Sequence, residues 1–291
     1  MTDQPRADAP DPQAALGGSP FASRERPLPL RQMGIGELID GAVKLFRRDW
    51  LVLIGIAAFV LVPVTYIQVW VTQNVVGSLN EFATQEEFAA MTSQVILITL
   101  VFVAVQVLIV QPFLVAAISR AAADAYLGER VTLGRTLRYA LSRLPAILWI
   151  TIIASVVTII GFILLIIPGI IALVRLALAP AVLVVEDVRG TRAVGRSWRL
   201  TAGHFWRVLG TLILSGLISA IGAAIIQIPT EFAAVALGPD GWPVSALGAA
   251  LASALITPFS LLIVVLLYFD LRVRREGYDI EVMAQELAPA S

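Results

Sequence analysis

The sequence predicts an all-α integral membrane protein with six transmembrane helices arranged as three hairpins, each preceded by a cytoplasmic amphipathic interfacial helix. Three observations carry this. The chain is 58% hydrophobic and 14% charged, with mean hydropathy +0.85. It contains several uninterrupted apolar runs of about 20 residues, the length that crosses a hydrocarbon core of about 30 Å. Its basic residues cluster between alternate runs.

Met1 to Pro29 is rich in proline, aspartate, glutamine, glycine and serine and has no apolar periodicity. It reads as a disordered cytoplasmic tail. Residues 30–282 form the membrane domain, with spans at about 51–72, 94–119, 147–167, 170–185, 208–228 and 246–269, and residues 283–291 form a short tail. No cleavable signal peptide is expected, because the first apolar run starts near Leu51 after a long polar segment.

Ile35, Ile39, Ala42 and Phe46 share one face of a short helix before the first span. Gln73 to Ser93 is a loop without Lys or Arg. LGRTLRYALSRL, before the third span, is again amphipathic. Pro168-Gly169 reads as a tight turn between spans three and four, and Pro229 to Ser245 as a loop lacking Lys and Arg. Six basic residues lie between Arg24 and Arg48, five between spans two and three, five between spans four and five, and three after span six. In a six-span chain all of these fall on one side, which places both termini in the cytoplasm.

The stretch Arg189 to Gly210 is the third amphipathic helix. At about 100° per residue, Arg189, Arg192, Arg196, Arg199 and Arg207 form one stripe, while Val194, Trp198, Thr201, Phe205 and Leu209 form the opposite face. A basic face backed by an aromatic and aliphatic one describes a helix lying in the headgroup layer. The arginines are candidates for contact with anionic headgroups of the cytoplasmic leaflet; they also serve simply to hold the loop inside.

The three amphipathic segments align without gaps. Ile35, Ile39, Ala42 and Phe46 match Leu133, Leu137, Ala140 and Leu144, then Val194, Trp198, Thr201 and Phe205, and Gly36, Gly134 and Gly195 also align. The second span of each hairpin carries a proline: Pro112, Pro180 and Pro258. This reads as three copies of one unit, and parallel repeats of this kind occur in transporters.

Candidate intramembrane polar residues are Arg175, Gln68, Gln106, Gln111 and Gln227. A charge within a span is costly. Arg175 therefore binds an anionic group, pairs with another span, or snorkels to the outer interface. The glutamines line a cavity or hydrogen-bond between helices. Ser215, Gly216, Ser219, Ala220 and Ala223 give span five a small-residue packing face. There is no cysteine, and His204 is the only histidine, so no metal site is expected. No HExxH, GxSxG or Walker loop occurs, nor a cluster of carboxylates inside the spans. The expectation is a protein with no catalytic residues and no cofactor.

PLRQMGIGELIDGAVKLFRRDW, PAVLVVEDVRGTRAVGRSWRLTAGHFWRVLG and YFDLRVRREGYDIE together resemble the glycerophosphoryl diester phosphodiesterase membrane domain family, over about Pro29 to Val282. The resemblance is to the membrane part only. It implies a bacterial plasma-membrane location and carries no activity, since the acids and paired histidines expected of the catalytic domain have no counterpart. The expected function is a non-catalytic envelope or lipid-related accessory or scaffold protein, and the alternative is a transporter or lipid-translocating protein. Expected partners are anionic lipids of the cytoplasmic leaflet and other membrane proteins, but not nucleic acid.

Overall fold

The structure, a computed structural model, describes residues 32–77, 85–126, 131–188 and 190–277. The two terminal tails read from the sequence, and Arg189, lie outside the described residues. Among the described residues the chain is helical without strands: α1 (Ile35–Gly77), α2 (Gln85–Val105), α3 (Gln111–Tyr126), α4 (Leu133–Leu164), α5 (Ile166–Leu176), α6 (Ala179–Glu186), α7 (Thr191–Thr201), α8 (Phe205–Leu237) and α9 (Trp242–Glu276). Six helical stretches are long and apolar enough to cross a membrane: Ile35–Asn74, Thr92–Ala125, Leu133–Leu164, Ile166–Glu186, Phe205–Leu237 and Trp242–Glu276.

The helices run further than the apolar runs alone predict. The first amphipathic segment and first span form one helix, α1, kinked at Asp49 (φ −120°, ψ 27°). The second runs unbroken into its span as α4, with Pro145 inside. Only the third is a separate helix, α7, because Gly203 at φ +81° turns the chain before α8. Pro229 lies inside α8 and does not open a loop. Its ring removes one backbone donor, a loss that a long apolar helix tolerates. The turn between α8 and α9 is the short Gly238–Gly241. The turn between α4 and α5 is Leu165 alone, so Pro168 and Gly169 belong to the first turn of α5. Span four is itself bent at Ala177–Leu178, ahead of Pro180.

α2 and α3 are joined by a π-helical turn, Gln106–Val110, in which the Gln111 N–H bonds to the Gln106 carbonyl. Pro112, one residue on, cannot donate to its own preceding turn, and widening the helix there re-closes the backbone.

α9 is the spine. It packs along α1 on one side and α8 on the other, and its buried residues include Leu262, Leu266, Tyr268 and Leu271. α8 and α9 approach closely because the sequence supplies small residues at the crossings. Ser219 and Ser260 hydrogen-bond across the pair, and a Cβ on Gly222 or Gly248 would collide with Ile256 or Thr230. The small-residue face of α8 is thus split: Ser215 is buried against the bundle, while Gly216 and Ala220 face outward.

The internal repeat has a structural counterpart in a shifted phase. Leu38, Thr136 and Ser197 occupy equivalent positions in the three segments, as do Ala42, Ala140 and Thr201, and all six are buried. Ala42, Ala140 and Thr201 belong to the predicted apolar faces, whereas Leu38, Thr136 and Ser197 each lie one position before a predicted face residue. Ile39 and Leu137 are half-buried and Trp198 is exposed. All three segments pack on neighbouring helices of the bundle, and the small side chains at Ala42, Ala140 and Thr201 permit close approach.

Candidate functional site: a layer of ion pairs and the grooves beside α7

One polar layer ties together the starts of α1, α4 and α8 and the ends of α3, α6 and α9. At its centre is Asp270, fully buried on α9. Its Oδ1 accepts from the Met33 backbone N–H (2.8 Å). Its Oδ2 accepts from Arg207 Nε (2.9 Å), and Arg274, one turn further along α9, donates to both oxygens (3.1 and 3.0 Å). Arg207 and Arg274 each also donate to the Met33 carbonyl, and Arg274 reaches Gln32. A single carboxylate therefore holds the entry of α1, the start of α8 and the end of α9. Charge-assisted bonds of this kind are stronger than neutral ones.

A second cluster forms around Glu186 at the end of α6. It accepts from Tyr268 Oη (2.9 Å) and from Arg196 Nε (2.9 Å). Arg196 also pairs with Glu276, which Arg272 approaches at 3.4 Å. Burial works against the charge on Arg196, but its bonds to Glu276 and Glu186 outweigh this and hold its pKa above the ordinary value. The third cluster is Asp124, buried near the end of α3, between Arg120 (2.9 Å) and Arg135 (2.8 Å). Arg48 donates to the Ala125 carbonyl beside it (3.0 Å). Finally Arg143 pairs with Asp187 (2.7 Å), which closes α6 in the left-handed conformation at φ 52°. Aspartate is among the few residues that enter that region readily. Each carboxylate faces arginine, so the layer is built to fix geometry.

The predicted arginine stripe divides. Arg207 starts α8 and turns inward to Asp270, and Arg196 is held by two glutamates, so neither presents a free headgroup contact. The sequence reading assumed one continuous helix, and the bend at Gly203 breaks it. Arg192 and Arg199 are exposed and have no acid partner among the described residues. They line a groove of about 400 Å³ with Val188, Thr191, Gly195 and Arg196. A smaller groove of about 220 Å³ adjoins it, lined by Arg196, Arg199, Leu200, Arg275 and Glu276.

Arg175 reaches towards a neighbouring helix. The bend after α5 sets it against α7, where its guanidinium lies 5.5 Å from the Trp198 ring centroid and 3.5 Å from the Trp198 carbonyl. Ser197 Oγ in turn donates to the Arg175 carbonyl (2.7 Å), one of the last carbonyls of α5 and without a partner in its own helix. The glutamines are dispersed. Gln68 is half-buried on α1, Gln106 sits in the π-helical turn with its Oε1 buried and unbonded, and Gln111 is exposed. Gln227 lines a lateral groove of about 480 Å³ on α8 with Ala220, Ala223, Ala224, Glu231 and Phe232. No hydrogen bond joins any two of them among the described residues.

Sequence reasoning missed the buried carboxylates Asp124 and Asp270 and the pairing of half-buried Glu186. The signal was present in YFDLRVRRE, where Asp270 and Arg274, and Arg272 and Glu276, stand four residues apart.

Among the described residues, fold and site together define a helical chain with six stretches apolar enough to cross a bilayer, bound at one end by buried ion pairs. The chain belongs to the family described as "Domain of unknown function (DUF7847)", which matches residues 33–271. Nothing in the comparisons links it to the phosphodiesterase membrane domain that its motifs resemble. No curated protein matches the chain, and no solved structure does.

Proposed function

We propose that the protein is a non-catalytic integral protein of the bacterial plasma membrane, a lipid-related accessory or scaffold protein with both termini in the cytoplasm. It holds anionic headgroups in the groove along α7. The observation that carries this reading is that Arg192 and Arg199, exposed and without an acid partner among the described residues, stand over one groove, within a layer whose neighbouring acids are already bonded to other arginines. Free guanidinium pairs at the level where basic residues collect suit phosphate oxygens. The resemblance of its motifs to a membrane domain lacking catalytic acids supports the same reading.

The test is lipid analysis of the protein purified in native-lipid nanodiscs. Wild type is expected to enrich anionic phospholipid over the bulk membrane, and Arg192→Gln with Arg199→Gln to lose that enrichment while keeping the wild-type melting temperature. Equal lipid profiles would refute it. Transport is the competing proposal, and the π-helical turn beside Pro112 favours it by supplying a flexible point in a span. It predicts solute or lipid flux in proteoliposomes that Gln106→Leu abolishes.

A further inference from the structure

Four apolar stretches carry polar groups at both ends: Asp49 and Asn74 on α1, Ser93 and Arg120 on α2–α3, Arg207 and Glu231 on α8, Ser245 and Asp270 on α9. At about 1.5 Å per residue each pair stands roughly 36–41 Å apart, which matches a hydrocarbon core of about 30 Å plus part of its headgroup layers.

The α4–α5 hairpin has polar groups at one end only. Its base is closed by Arg143–Asp187 (2.7 Å) and by Tyr139 Oη donating to the Val184 carbonyl (3.0 Å). From Gly161 to Val174 no residue is polar. At the tip, Ile163, Leu164, Leu165, Ile166 and Ile167 are 69–78% exposed. Five adjoining large aliphatic side chains make a patch that a water-facing turn does not carry.

The tip's backbone suits a dry environment. Only Leu165 leaves helical geometry; its N–H donates to the Gly161 carbonyl (3.0 Å) and its carbonyl accepts from Gly169 N–H (3.3 Å). Pro168 has no N–H to satisfy. The limbs meet at glycines, since a Cβ on Gly161 would lie 2.9 Å from Gly169 Cα. Along α4, Arg143 to Leu164 is about 32 Å of helix, shorter than the roughly 36–41 Å of the four stretches above, and the returning limb reaches less far still. Arg175 touches α7, and α7 exposes Arg192 and Arg199, so α7 stays at headgroup level. Ile166 to Arg175 is only about 14 Å of helix. Adding the length of an arginine side chain still leaves the tip within a core of about 30 Å.

We propose that the α4–α5 hairpin is re-entrant. It enters from the ion-pair face, its tip at residues 163–167 ends among lipid acyl chains, and it returns without reaching the opposite surface. The partner of this apolar surface is bilayer hydrocarbon. The inference rests on the membrane reading above and reduces the complete crossings to four, with both termini still on one side.

The chain has no cysteine, so single-cysteine variants report cleanly. Leu165→Cys, Ile167→Cys, Asp240→Cys and Arg199→Cys would be placed in oriented proteoliposomes and treated with a membrane-impermeant maleimide, before and after opening the vesicles. Asp240→Cys is expected to react from one side and Arg199→Cys only from the other, and both tip variants to react only after detergent solubilisation. Spin-labelled tip variants are expected to collide strongly with oxygen and weakly with an aqueous nickel chelate. Tip labelling within a few-fold of Asp240→Cys from the same side overturns the proposal, as does low collision with both reagents, which would bury the tip against protein. Equal labelling of Asp240→Cys and Arg199→Cys from one side would sink the membrane reading itself, whatever the tip does.

Discussion

Replacing Asp270 by asparagine changes one atom in a fully buried site. The native carboxylate answers three donors: the Met33 N–H, Arg207 and Arg274. Asparagine keeps one acceptor oxygen and turns the other into a donor, which faces an arginine it cannot bond. Two guanidinium groups then share a site with no compensating charge. Removing one partner of a buried pair costs about 3–5 kcal/mol, because the charge left behind stays desolvated. At roughly 2–4 °C per kcal/mol for a chain of this size, the melting temperature in detergent should fall by about 6–20 °C. Arg207→Gln combined with Asp270→Asn should cost less than the sum of the two single changes, since the second removes a cation the first has stranded. A fall under about 2 °C for Asp270→Asn, or strict additivity in the double variant, would refute the claim that this carboxylate fastens α1, α8 and α9.

Other substitutions test neighbouring parts of the argument. Glu186→Gln leaves Arg196 with Glu276 alone and weakens the anchor of Tyr268, so melting should drop by several degrees, less than for Asp270→Asn. Gly203→Ala places a Cβ at φ +81° and should cost about 1–2 kcal/mol, read as a lower melting temperature. Gly169→Ala drives a methyl group into the Phe162 ring and should destabilise by about 1–3 kcal/mol; adding Phe162→Ala should recover part of that loss.

The apolar runs were legible because about 20 residues without charge are a length signal that needs no partner. The sidedness of basic residues was equally local. What escaped was everything decided by contact between helices. The helical wheel over 189–210 gave α7 an apolar face for the headgroup layer, with Trp198 and Thr201 on it, but could not show that Ala193, Ser197, Leu200 and Thr201 are the residues buried against neighbouring helices. It could not register that Gly203 ends α7, so Arg207 was grouped with surface arginines when its partner lies 63 residues away. For Arg175 the sequence left anion binding, pairing with another span and snorkelling open, and only the bend ahead of Pro180 shows that it lies against α7. The loop expected at Pro229 failed for the opposite reason: in a long apolar helix, one missing donor is cheaper than exposing an open turn.

The proposed topology places the ion-pair layer at the cytoplasmic face. Reporter fusions in bacterial cells measure this directly. Green fluorescent protein fused after Ser291 should fluoresce, and alkaline phosphatase, active only outside the cytoplasm, should be active when inserted at Asp240 and inactive when inserted at Gly190. An active phosphatase at Gly190 with an inactive one at Asp240 would contradict the account, since it would turn the arginine layer to the outside.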